Sequence, residues 1–345
     1  MSGIATFAAL TLLLLSPRPG AAQDAAGFYR GRNVFLQVGS GAGEGYDQYA
    51  RLVARFIGRH IPSEPHIVVQ NIPGGGSFVL ANQFGNVTPR DGSVFGMFNN
   101  GMPTTPLLNP GVAKFDPRKF SFIGSPNREV QVFISWHTSP AQTLADAFTR
   151  EIIVGASAPG AAPYDFPLVT NALLGTRFRI ITGSGGTAAQ ILAMQRGEIH
   201  ANPAVAWVTA KTQYAPMIAD RQILLIGQFG FRPHPDIPDV PLFPTGANEA
   251  DRQIFELLYA RQEYGRPLLF PPDVPAERVA ALRAAFDATM KDPDFRAEAQ
   301  RLKIDIVPVA GVDMQNLTDR LFRTPPAVLE RIQTLLGAKP ANRAN

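Results

Sequence analysis

The chain has 345 residues, 45% of them hydrophobic and 17% charged, which excludes wholesale disorder and leaves room for two domains with separate cores. Thirty-two Lys and Arg against 28 Asp and Glu give a formal +4 with no basic run, so the concentrated charge of a nucleic-acid binder is missing. There are no cysteines, which removes disulfides, thiolate metal sites and cysteine nucleophiles, and the five histidines show no metal-ligand spacing. Neither a metal nor a cofactor is expected.

The amino terminus opens on a twelve-residue apolar run, Ile4–Leu15, too short for a membrane-spanning helix of about 20 residues. Pro17 and Pro19 break it, and Gly20-Ala21-Ala22 supplies the small residues of a cleavage site. Residues 1–22 are read as a cleaved secretory signal peptide, which places the mature protein in a bacterial periplasm. No Lys or Arg precedes the run, so an uncleaved anchor is the alternative reading.

Beyond it the chain alternates short apolar runs, small-residue loops and amphipathic helices. Val34–Val38 reads as a buried strand and Gly39–Gly45 as a loop with glycine at every second position. Tyr49, Leu52, Val53, Phe56, Ile57 and His60 then recur at helical spacing on one face. The unit repeats as strand Ile67–Gln70, loop Asn71–Ser77, helix Phe78–Phe84 and strand Val94–Phe98. A second set comprises strands Val130–Ser135, Ile152–Val154, Phe178–Ile181 and Ile223–Ile226. Its loops are Gly155–Pro163 and Gly183–Thr187, and its helices Tyr164–Leu174 and Ala188–Arg196. Phe231–Pro241 carries four prolines in nine residues and is read as an extended surface connection. The last 75 residues read as mainly helical, with one strand at Ile304–Val309. Such alternation predicts an α/β fold with mostly parallel sheets flanked by helices.

Glycine-rich loops between strand and helix first suggest nucleotides, but GxxxxGK[ST] is absent, and GxGxxG fails because position 46 is tyrosine. No GxSxG, HExxH or EF-hand pattern occurs, so the chain is not read as an enzyme and no catalytic residue is assigned. What the four loops share is backbone N–H groups at helix N-termini, where a small anion is held by amides and the helix dipole. In a parallel sheet all four project from the carboxyl edge, which points to an anion site between two domains.

Gly43-Glu44-Gly45-Tyr46-Asp47 with its Ala50-Arg51-Leu52 helix, Val68 to Ser77, Pro89 to Ser93, Ile237-Pro238-Asp239-Val240-Pro241 and Ala288–Leu302 follow one another in a familiar order. Together they resemble the Bug (TctC-like) family, the periplasmic substrate-binding proteins of tripartite tricarboxylate transporters. The resemblance implies a two-lobed, type II Venus-flytrap fold and a non-enzymatic, monomeric receptor that hands a small carboxylate to membrane transporter subunits. An amino acid or aromatic acid falls within the same ligand class. It places lobe 1 in residues 23–130 plus 227–345 and lobe 2 in 131–226. Candidate ligand contacts are Gly43, Glu44, Gly45, Tyr46, Asp47, Gly75, Gly76, Ser77 and Asn100 from the first lobe. Those from the second are Ser157, Tyr164, Asp165, Gly186, Thr187 and Trp207.

Glu44 and Tyr46 stand where the family loop has small residues; Glu44 reads either as a solvated rim residue or as a partner for a ligand ammonium group. Tyr164 and Trp207 read equally as pocket or as core, and Asp47 as the residue that caps its helix and fixes the loop. A periplasmic sensor feeding a two-component kinase, or an enzyme on the same scaffold, are the alternative functions.

Overall fold

The computed structural model describes residues 25–74, 77–111, 113–156, 160–184, 186–244 and 248–337. The expected signal peptide and the candidates Gly75, Gly76 and Ser157 lie outside the described residues. Numbering helices of seven residues or more, the chain begins β1 (Asn33–Val38), α1 (Gly45–Ile57), β2 (His66–Asn71), α2 (Phe78–Asn86), β3 (Val94–Met97) and β4 (Ser121–Ser125). It continues through β5 (Gln131–Trp136), β6 (Ile152–Gly155), α3 (Ala162–Leu174), β7 (Phe178–Ile181), α4 (Thr187–Gln195), β8 (Ala201–Ala206), α5 (Trp207–Gln213) and β9 (Ile223–Phe229). The remainder is α6 (Glu249–Tyr264), β10 (Leu268–Phe270), α7 (Ala276–Lys291), α8 (Pro293–Arg301), β11 (Val309–Ala310), α9 (Gly311–Leu321) and α10 (Pro326–Leu335).

Two sheets form, in the strand orders β11-β4-β10-β3-β1-β2 and β7-β6-β8-β5-β9. In the first, β1 pairs parallel with β2 and β3, while β10 is antiparallel to both β3 and β4. In the second, β6 pairs parallel with β7 and β8, while β5 is antiparallel to both β8 and β9. The strands β1–β4 therefore share one direction, as do β6–β9, in keeping with the parallel sheets expected. The ladders are nonetheless mixed, and the cause is topological. β5 is the first strand after the chain leaves the first sheet, and β10 the first after it returns. Each enters its sheet from the edge that faces the other, so each must run against its neighbours.

The sequence explains the local elements. Val34, Leu36 and Val38 of β1 are fully buried on one face, and α1 packs Tyr49, Leu52, Val53 and Ile57 against them. That period of two against a period of 3.6 joins strand to helix over one core. The spine of the molecule is α6, in which Phe255, Leu258, Tyr259 and Tyr264 are all buried. They share one apolar cluster with Leu80, Phe84 and Phe98 from the first set of elements and Phe166, Phe229 and Phe243 from the second. Phe229 and Phe243 stack at 4.2 Å, and Phe166 meets Tyr259 edge-on at 5.3 Å. No helix among the described residues is long and apolar enough to cross a membrane.

Two local expectations change. The strand expected over Ile304–Val309 shrinks to Val309–Ala310, because Pro308 has no N–H and Val307 N–H donates instead to Pro126 O at 3.0 Å. The proline-rich connection is also less open than expected: it wraps the fully buried Gln228. The Gln228 amide donates to Ile237 O at 3.1 Å and Val240 O at 2.6 Å and accepts from His234 N–H at 2.8 Å.

Candidate functional site

Register puts the carboxyl edge of each sheet where the chain crosses from one sheet to the other. Gln131, which opens β5, lies across from Ala206 at the end of β8 and from Phe229 at the end of β9. Leu268, which opens β10, lies across from Met97 at the end of β3 and from Gly124 near the end of β4. The short segments before these strands, residues 126–130 and 265–267, thus run between the two edges. They are laced together: Glu129 N–H donates to Gln262 O at 2.9 Å, Gln131 N–H to Gln262 Oε1 at 2.7 Å, and Arg266 N–H to Ser125 Oγ at 2.8 Å. Gly265, at φ +53°, permits this approach, since a Cβ there would lie 1.7 Å from Asn127 O.

A buried ion pair sits in this seam. Arg266 Nη2 donates to Glu129 Oε1 at 3.0 Å, both side chains being 6% exposed. The other carboxylate oxygen accepts from Asn100 Nδ2 at 2.6 Å. The guanidinium lies 4.2 Å over the ring of Tyr46 and 5.2 Å from that of Tyr49. Burial by itself would lower the pKa of Arg266, but Glu129 together with Tyr46 and Tyr49 outweighs it and holds the group above its ordinary value. Tyr46 Oη accepts from Asn100 N–H at 3.0 Å, and burial, opposed by Arg266, pushes the phenol up to about 12. Two of the sequence candidates, Tyr46 and Asn100, are thereby joined directly.

The loop after β1 is fixed from within. Asp47, 1% exposed, accepts from Gly43 N–H at 2.7 Å, Arg51 Nε at 2.8 Å and Asn71 Nδ2 at 2.9 Å. Burial tends to raise its pKa, but these three donors outweigh it and hold the carboxyl below its usual range. Asp47 is thus engaged in holding the loop, and so is the Gly43 amide. Glu44 is exposed, its carboxylate folded back over Gly41, and it has no ion pair among the described residues. Gln48 N–H donating to Glu44 O at 2.9 Å starts the ladder of α1, so the amides of Gly45 and Tyr46 lack an intrahelical acceptor. Ser77 is buried at φ +78°; its hydroxyl donates to Gly39 O at 3.0 Å and accepts from Asn99 N–H at 2.9 Å, tying the loops after β1 and β3.

Across the seam, Asp165 in the first turn of α3 is 2% exposed. It accepts from Gly160 N–H at 2.9 Å and from Arg261 Nη2 at 3.0 Å, while Arg261 Nη1 donates to Gly160 O at 3.1 Å. Burial raises the Asp165 pKa, against the pull of Arg261. Its neighbour Tyr164 is half-buried. Gly186 is the N-cap of α4, whose ladder begins with Gln190 N–H to Gly186 O at 3.1 Å, leaving the Thr187 amide without an intrahelical acceptor. Trp207 is buried at the start of α5 and donates its Nε1–H to Asp236 Oδ2 at 2.9 Å. The same Asp236 oxygen accepts from Lys211 Nζ at 2.7 Å, and Lys211 reaches Asp305 at 2.8 Å, whose carbonyl accepts from Tyr49 Oη at 2.9 Å. A groove of about 500 Å³ opens beside this bridge between α5 and α8, lined among others by Thr212, Arg296 and Lys303.

Sequence reasoning missed Glu129, Arg261, Arg266, Lys211 and Asp305. Glu129 and Arg266 are 137 positions apart and no local pattern connects them. Among the described residues no group of His, Asp and Glu has the arrangement of a metal site.

No family model matches the chain, and no curated protein matches it. Solved structures do, over nearly their whole length. A TctC solute-binding protein from Polaromonas is 18% identical with a TM-score of 0.66, the match covering 90% of this chain and 99% of that one. The chain has the fold of these periplasmic binding proteins. The periplasmic binding protein BugD is 20% identical at a TM-score of 0.63, covering 89% and 98%. A Rhodopseudomonas palustris protein solved with adipate is 18% identical at 0.66, covering 89% and 98%. MatC from the same organism, solved with malate, is 18% identical at 0.61, covering 88% and 99%. The two sheets described above are the two lobes of that fold.

Proposed function

We propose that the chain is an extracytoplasmic solute-binding protein that captures a small carboxylate between its lobes and delivers it to a membrane transporter of the tripartite tricarboxylate type. The observation that carries this reading is that two carboxyl edges meet at the crossing segments, each bearing a helix N-terminus whose first amides have no intrahelical acceptor among the described residues, Gly45 and Tyr46 on α1 and Thr187 on α4. Amide donors and helix dipoles at both walls suit a carboxylate. The arginines buried nearby, Arg261 and Arg266, are already engaged by Asp165 and Glu129, so the ligand is held by main chain rather than by a cationic clamp. Adipate and malate in two proteins of the same fold support the ligand class. The apolar run at residues 4–15 supports export to the periplasm. Asn100 and Tyr46 form the floor on this reading, and the role is binding without turnover.

Mass spectrometry of small molecules released from freshly purified protein tests it. A stoichiometric carboxylic acid is expected. A nucleotide or a neutral sugar in its place would refute the reading.

A further inference from the structure

Among the described residues, the groove between α5 and α8 is lined by three cations, Lys211, Arg296 and Lys303, and one carboxylate, Asp305. Lys211 is committed, to Asp305 at 2.8 Å and to Asp236 at 2.7 Å. The carboxylates of α8 and its N-cap are taken as well: Asp292 by Arg59 and His60, Asp294 by Arg59, and Glu298 by Arg55 and Arg301. Helix α5 carries none. Arg296 and Lys303 are left without an ion pair among the described residues, and with Asp236 counted the groove and its bridge keep one net positive charge.

Both cations are placed by the backbone. Arg296 Nε donates to Met290 O at 2.8 Å, which fixes the guanidinium and leaves its two Nη groups without a partner among the described residues. Lys303 follows the C-cap of α8 at φ +56°, its N–H on Gln300 O at 3.0 Å and the next N–H, of Ile304, on Ala299 O at 2.8 Å. That is the Schellman closure, whose left-handed position ordinarily holds glycine. A lysine there is disfavoured by its own Cβ, and it brings a charge to the groove wall. The groove has about 500 Å³, a volume suited to a small molecule, and Ile304 and Ile306 give it an aliphatic side. None of the residues expected at the carboxylate cleft lines it.

We propose that this groove is a second ligand site, for a small organic molecule with a dianionic head group, a phosphate ester or a polycarboxylate. Arg296 and Lys303 hold the head group, and Ile304 and Ile306 pack against the organic part. A fixed guanidinium can meet two oxygens at once, and the ammonium adds a point charge beside it. A monocarboxylate brings half the charge to the same two cations and binds more weakly.

Calorimetric titration of the full chain with glucose 6-phosphate, citrate and inorganic pyrophosphate tests this, at constant ionic strength and with glucose as the neutral control. Saturable binding of at least one anion is expected, and the tighter of the phosphate ester and citrate identifies the source of the head group. Lys303→Gly removes the charge and relieves the left-handed backbone. Its melting point should therefore hold or rise while the affinity for that anion falls about five- to tenfold. Arg296→Gln added to it should abolish the binding. If no anion binds saturably, if glucose binds equally, or if every anion that binds does so unchanged in Lys303→Gly, the inference is overturned.

Discussion

The guanidinium of Arg266 lies 4.2 Å over the ring of Tyr46 while its Nη2 donates to Glu129, so one side chain joins the loop after β1 to the segment that leads into the second lobe. Both members of the ion pair are out of water, and Asn100 takes up the remaining carboxylate oxygen. Removing one partner leaves a buried, unpaired charge, whereas removing both does not. Arg266→Met should therefore cost about 3–5 kcal/mol in urea unfolding, and the double exchange Glu129→Met with Arg266→Met far less. Equal losses in single and double variants would show that the pair is not coupled.

Asp47 is the internal support of the first loop. Asp47→Ala removes the acceptor for Gly43 N–H, Arg51 and Asn71 together, a loss of about 2 kcal/mol for hydrogen bonds to a charged group. Asp47→Asn should recover part of it, because one oxygen remains an acceptor. Thermal unfolding of the two variants distinguishes these outcomes, and a melting point unchanged in Asp47→Ala would contradict the assignment.

Lys211 bridges Asp236 and Asp305, and Asp305 stands on the first-lobe side against Tyr49. The pair is partly exposed, so its strength falls with salt. Lys211→Met should widen the lobe angle in the unliganded protein and abolish the salt dependence of that angle. A pair of spin labels reads this directly, at Lys119→Cys and Glu198→Cys, both exposed in a chain that has no native cysteine. An interlobe distance that is the same in both proteins at low and high salt would sink the prediction.

Acid should act first through two histidines, His200 and His234. Burial holds the pKa of His200 and of His234 below the ordinary histidine value, and each ring Nδ1 accepts a backbone N–H, from Ile153 at 3.0 Å and Asp236 at 3.1 Å. A histidine whose pKa is lower folded than unfolded binds its proton preferentially when unfolded. Its contribution is therefore complete above about pH 6.5 and is lost as pH falls through the folded value. Melting temperature should decline as pH falls below about 6.5, and less so in His200→Gln. A flat profile in that range would contradict the two assignments.

Much of the scaffold was legible because local pattern and burial agree in it. The β1–loop–α1 unit, the helix over 162–174 and the glycine loops are each written within a dozen residues of sequence. The three-residue β10 and the two-residue β11 were not, since so short a run has no period to read, and their pairing partners β3 and β4 are far away in the chain. Asp47, expected to cap its helix and fix the loop, holds the loop through Gly43 N–H and Asn71 but does not cap α1, whose N-cap Glu44 makes no side-chain bond. Trp207 lies buried with its indole N–H on Asp236. The long-range ion pairs escaped notice for a different reason. Arg261 with Asp165, Lys211 with Asp305 and Arg266 with Glu129 are set by tertiary placement, and each residue taken alone looks like ordinary surface charge.

Ligand-induced closure is the central claim, and small-angle scattering recorded alongside thermal melting tests it most directly. A ligand that binds only the native form stabilises it by about 2.7 kcal/mol at a hundredfold excess over Kd. That corresponds to roughly 5–10 °C for domains of this size. The account predicts that the cognate acid raises the melting point and reduces the radius of gyration in the same sample, and that its neutral amide does neither, because helix N-terminal amides favour full negative charge. A melting shift without compaction, or an equal response to acid and amide, would contradict it.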